Sequence, residues 1–179
     1  MTVTSSNLIQ GPATLYCAPF GSTEPATIAT VPVAPWVDLG GTDGGAEFTV
    51  ADTYSVLTVD QIIYEVERRR SGRVVSIKTA LAEATLVNLG LALNNTAPAA
   101  NVLTADDGLS AFAPSYNAVL LDGIAPGGFR RRVTLRKVLG TDSVGMAYKK
   151  DGKTMVPVTF TGHWVSTSIR PFKIEDATS

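Results

Sequence analysis

Along most of this chain polar and apolar residues alternate with a period of two, and only once does the pattern become helical. Ile62, Tyr64 and Val66 alternate with Ile63, Glu65 and Glu67, which predicts a half-buried strand. Ser71-Gly72 then supplies a turn, because glycine accepts the positive φ that tight hairpins require. Residues 73–77 (RVVSI) return as a second strand. From Ala80 the β-branched residues give way to Ala and Leu, which predicts a helix over 80–95. Thr79 is its expected N-cap, and Asn94-Asn95 followed by Pro98 is its expected end.

That helix carries two apolar stripes. At 3.6 residues per turn, Ala82, Leu86, Leu89 and Leu93 share one side. Ala80, Ala84, Val87 and Leu91 share the nearly opposite side. A surface helix needs one stripe, so two predict a helix pressed from both sides. Its own sheet covers one. A long loop of the same chain, or something outside it, covers the other.

The rest of the chain reads as short strands between turns. Strands are expected over 13–18, 36–41, 46–50, 116–121, 130–139 and 169–174. Residues 46–66 are expected to form a long projecting hairpin, with 44–55 as a polar bend outside the core. Two further strands, 144–150 and 153–161, are expected to flank a turn at Asp151-Gly152. Residues 21–35, with three prolines, and 96–115 read as loops. In 130–139 (RRRVTLRKVL), Val133 and Leu135 point one way, and Arg130, Arg132, Thr134 and Arg136 the other. The count is eight to ten short strands and one helix. A single mainly β domain over 1–179 follows, with a polar N-terminal arm at 1–11.

Charge and chemistry narrow the function classes. Fifteen Lys and Arg against sixteen Asp and Glu argue against a general nucleic-acid binder. No apolar run reaches the ~20 residues of a membrane span, and MTVTSSNLIQ lacks a signal-peptide core, so a soluble protein made in the cytoplasm is expected. Cys17 stands alone. The one histidine, His163, sits beside Trp164 with no ligating partner nearby, which predicts packing rather than metal binding or catalysis. Asp106-Asp107-Gly108 lacks the spaced oxygens of a calcium loop. No nucleophile elbow, phosphate loop or zinc helix is present. Neither an enzyme nor a cofactor or metal is expected.

Two motifs carry a resemblance. Trp36-Val37-Asp38-Leu39-Gly40, followed by a glycine-rich loop, Glu47-Phe48-Thr49-Val50 and Val59-Asp60-Gln61, precedes Leu81-Ala82-Glu83-Ala84-Thr85-Leu86-Val87-Asn88-Leu89. This succession resembles the major tail proteins, or tail tube proteins, of long-tailed bacteriophages, and covers residues 13–93. The resemblance implies an antiparallel two-sheet sandwich or barrel with one flanking α-helix and a long projecting hairpin. It implies a structural virion protein whose hexameric rings stack into a hollow tube that conducts DNA. The implied partners are the chain itself, the tape-measure, tail-tip and tail-terminator proteins, and double-stranded DNA in transit without specific binding. Membrane insertion is not implied. The implied location is the virion tail, assembled in the host cytoplasm. The inner tube of a contractile tail or injection machine shares these features, and a β-rich surface binding module is a third reading.

The resemblance also assigns positions. The 41–59 region matches the family's stacking loop, which makes Gly44, Gly45, Asp52 and Tyr54 candidates for contact between rings. The outer helix stripe makes Val87 and Leu91 candidates for contact within a ring. The family's lumen is acidic, and the stripe Arg130, Arg132 and Arg136 departs from that. Glu65 and Glu67 are therefore expected to pair with this stripe, within the chain or across a subunit boundary.

Overall fold

The computed structural model describes residues 3–106 and 112–177. Part of the expected 96–115 loop, including Asp107 and Gly108, and the first and last two residues of the chain lie outside the described residues. Eight strands form one antiparallel sheet: β1 (Thr14–Pro19), β2 (Val37–Asp38), β3 (Thr42–Leu57), β4 (Glu67–Leu81), β5 (Asn117–Ile124), β6 (Arg130–Gly140), β7 (Val156–Gly162) and β8 (Phe172–Asp176). The order is β2-β1-β5-β6-β7-β4-β3, with β8 added to β6. The sheet is not closed. Among the described residues the single α-helix is α1 (Leu86–Ala92).

The far edge of β6 is shared between two partners. Val133 and Leu135 lie opposite Ile174 and Phe172 of β8, whereas Val138 and Gly140 lie opposite Gly162 and Phe160 of β7. Alternate residues then meet in one core. Leu15, Ile77, Val119, Leu135, Val138 and Phe160 are buried together, although they come from strands far apart in the sheet order. Phe48 of β3 and Phe172 of β8 pack at 5.8 Å between ring centroids, so the β3 end bends over toward β8. Phe172 belongs to the half of the sheet around β6, Phe48 to the half around β4.

The opposite face of β1, β5 and β6 is covered by residues 20–36. Trp36 fills a second, smaller core with Ala18, Ala118 and Leu120, and its indole N–H donates to the Thr23 carbonyl at 2.8 Å. The N-terminal segment bears a 3-10 turn, Ser5–Asn7, rather than being wholly irregular.

Three expectations about the 42–95 region are corrected. Ser71-Gly72 is no turn: β4 runs straight through it, and the register slips between Thr53↔Gly72 and Tyr54↔Arg70, leaving Ser71 as a bulge. The hairpin is long but shifted, because its arms are β3 and β4 and its tip is 58–66. Residues 44–55 are therefore strand and not a polar bend, and Ala46 and Phe48 pack on the core. The helix is less than half its expected length, seven residues against sixteen. Ala80 and Leu81 stay in β4, where Leu81 is fully buried opposite Val156. Thr85 is the true cap, accepting from the Asn88 amide at 3.2 Å, while the Thr79 hydroxyl donates to the Gly45 carbonyl at 2.9 Å. Tertiary pairing with β7 overrides the helical propensity of the alanines. Residues 144–150 also fail to form a strand, and only a bridge between Lys149 and Gly152 marks the Asp151-Gly152 turn.

Candidate functional site

β4 pairs with β7 only from Val75 to Leu81. Beyond Val75, residues 67–74 pair with 51–57 of β3 and with nothing else among the described residues. This two-stranded arm extends seven residue pairs past the sheet, about 20–24 Å at the usual rise per residue. An isolated two-stranded ribbon is marginal in water and needs help to hold its shape. Side-chain ion pairs supply some. Arg73 bonds Asp52 at 2.6 and 2.8 Å, and Arg70 adds a second guanidinium to the same carboxylate at 3.1 Å. The Arg70 guanidinium also lies 5.9 Å from the Tyr54 ring centre. These bonds hold the Asp52 carboxyl below the usual range, the Arg73 hydrogen bond being the chief cause.

The arm's tip is apolar and open. Ile63 is 100% exposed and Tyr64 81%, and Val59, Ile62 and Val66 are exposed beside them. Contiguous exposed apolar clusters of this kind are uncommon on monomeric proteins.

The four expected stacking positions fall at two different places. Asp52 and Tyr54 belong to the arm. Gly44 and Gly45, with φ of 73° and 83°, form a bulge opposite Ala80 and Thr79, at the far end of β3. Both glycines are needed there, since positive φ strains any residue with a Cβ.

α1 follows Leu81, so it lies at the end of β4 away from the arm. Its buried residues are Asn88, Gly90 and Ala92. Leu89 and Leu91 are partly buried against the main core. The expectation that Leu93 is core is corrected, for it is 43% exposed. Val87 is 56% exposed, but the two-stripe expectation is corrected: Leu86 of the sheet-side stripe is exposed as well, and Leu91 of Val87's stripe packs on the core. Val87 and Leu91 join Val37, Leu39, Pro98 and Tyr116 around an apolar groove of about 510 Å³. Sequence reasoning missed Asn88, which holds the helix in place: its side-chain amide donates to the carbonyls of Leu39 (3.0 Å) and Glu83 (2.9 Å).

The arginine stripe is an internal feature of the chain. Arg132 is 2% exposed; it bonds Asp122 at 2.9 Å and the carbonyls of Thr27 (3.0 Å) and Thr30 (2.8 Å). Arg130 reaches the carbonyls of Ile28 and Ala29, and Arg136 pairs with Glu24. Within the chain, Glu65 and Glu67 do not pair with this stripe. They bond Arg68 (2.7 Å) and Arg69 (3.5 Å) on the arm. The reason is spacing: β4 continues through Ser71, which keeps both glutamates on the arm beside the nearest arginines. Glu24, the partner of Arg136, carries no sequence signal, because it lies 112 positions away, whereas Asp122 stands directly opposite Arg132 across the β5–β6 hairpin.

The remaining chemistry is sparse. His163 stands edge-on to Tyr116 at 5.5 Å, its backbone N–H bonded to the Lys137 carbonyl. Burial pushes the Cys17 thiol up to about 12, which makes it a packing group rather than a nucleophile. Among the described residues no cluster of three His, Cys, Asp or Glu could hold a metal, and no helix is long and apolar enough to cross a membrane. Comparison with protein-family models gives no match, and comparison with curated proteins gives none either.

Proposed function

We propose that this chain is the subunit of a hollow tube, assembling with copies of itself into rings that stack as a phage-type tail tube and pass DNA without binding it specifically. The observation that carries this reading is the arm: an extended ribbon with an apolar tip, unsupported by its own subunit. The open Val87 side of α1 and its groove add a second apolar surface, at the opposite end of β4. Surfaces at opposite ends of one subunit generate open stacks rather than closed dimers. We also read the coiled sheet as two layers, one around β6 and one around β4, packed face to face on the shared core. On this reading the protein is a scaffold and not an enzyme, works in a virion tail, and meets tape-measure, tip and terminator proteins at the ends of the tube.

The test is to remove the arm. Excising 52–73 and joining Ala51 to Val74 through Asn-Gly replaces the ribbon by a tight turn between residues already paired. The shortened subunit should fold and remain unpolymerised. Tubes of normal length from it would overturn the proposal.

A further inference from the structure

Residues 20–36 cross the outer face of β1, β5 and β6 without joining the sheet, and within this stretch only Pro32 and Trp36 are buried. Their backbone amides bond only locally, apart from Phe20 to the Tyr116 carbonyl. Arginine side chains fasten the segment instead. Four successive carbonyls, Thr27 to Thr30, accept from Arg132 and Arg130. Glu24 is gripped from two strands, by Arg136 Nε at 2.5 Å and by Lys173 Nζ at 3.1 Å. A cavity of about 190 Å³ lies under the segment near Trp36 and Arg136.

We propose that residues 20–36 are an electrostatic shield: a strap latched by Glu24, whose opening uncovers a cationic face that binds the phosphate backbone of a nucleic acid.

Opening the strap has a cost and a return. It loses the burial of Trp36 and the Glu24 ion pairs. It returns water to Arg132, whose burial is costly and incompletely compensated, since its Nε and Asp122 Oδ1 have no hydrogen-bond partner among the described residues. A segment with few buried apolar side chains and partly offsetting charge terms opens before the sheet does. The uncovered face carries Arg130, Arg132 and Arg136 at every second or fourth residue of β6, with Lys173 on β8 beside them. Asp38, Asp122, Glu175 and the Tyr16 hydroxyl also face it, so four cations meet three carboxylates. Each guanidinium that neutralises a phosphate adds salt-dependent affinity through counterion release. In the closed state the strap's carbonyls and Glu24 occupy these same donors.

The latch has a defined pH range. Burial raises the Glu24 carboxyl, but the hydrogen bonds and charges of Arg136 and Lys173 outweigh it and hold it below the usual value. A carboxylate lowered on folding contributes stability above its unfolded pKa of about 4.3. That contribution is lost as pH falls through the lowered folded value. At neutral pH the shield is closed.

The inference is independent of the tube reading. The experiment compares the full chain with Glu24→Gln and Arg136→Gln at neutral pH, by hydrogen exchange of the 20–36 amides and by binding of a short fluorescent DNA duplex at low salt. Glu24→Gln should speed exchange in 20–36 about tenfold, as a loss of ~1.4 kcal/mol gives, with the sheet amides unchanged. It should also bind the duplex where the unaltered chain does not. Arg136→Gln should open the strap equally but bind less, having lost a cation. Exchange as slow as in the unaltered chain, strap opening without DNA binding, or equal binding by both variants would each overturn the proposal.

Discussion

Asp52 on β3 and Arg73 on β4 stand directly opposite each other, joined by two hydrogen bonds at 2.6 and 2.8 Å. They lie just past the last pair that β7 supports, and Arg70 turns back to the same carboxylate. One aspartate at the root therefore ties together both strands of a ribbon that has no core of its own.

Asp52→Ala should leave the global stability of the monomer unchanged, since the arm is outside the cooperative core, yet loosen the ribbon. Hydrogen exchange across 51–57 and 67–74 should rise while the amides of 75–81 stay protected. The same loosening should occur in acid, because a carboxyl held low by Arg73 keeps its bonds at neutral pH and loses them only as pH falls through that lowered value. An arm equally protected in both proteins would contradict this.

The helix separates fold from assembly. Leu89→Ala should cost roughly 2 kcal/mol, the low end for a leucine truncation, because Leu89 is only partly buried. Val87→Asp should change monomer stability by less than about 0.5 kcal/mol, as exposed substitutions do. It should nevertheless abolish polymerisation, by placing a charge in an apolar contact. Thermal unfolding and sedimentation of the two variants distinguish these roles.

Asn88→Ala should destabilise the monomer by about 1–3 kcal/mol, leaving the Leu39 and Glu83 carbonyls without their donor. Chemical denaturation measures it; a neutral result would mean that the amide does not anchor α1.

The sequence pattern made the alternating strands legible wherever one face met a core. β1, β5 and β6 lie within three residues of their expected positions, because Leu15 and Leu135 alternate with polar residues and β5 is an apolar run buried on both faces. It failed where tertiary pairing outvoted local preference. Ala80 and Leu81 open a run of helix-favouring residues, but β7 takes them as strand. Ser71-Gly72 has the chemistry of a turn, but a bulge uses it as well. Period alone did not separate the faces of the helix, since Leu86 and Leu93 are exposed while Leu91, on the side of Val87, packs on the core. The partner of Arg136 was not legible, since no spacing rule links β6 to Glu24.

Negative-stain microscopy of the purified full chain, examined across a concentration series, is the measurement closest to the central claim. Self-assembly through the arm tip and the α1 end predicts hollow tubes of uniform diameter that lengthen with concentration and vanish when 52–73 are excised. A compact monomer at high concentration, with no tubes even after addition of tail-tip proteins, would contradict it.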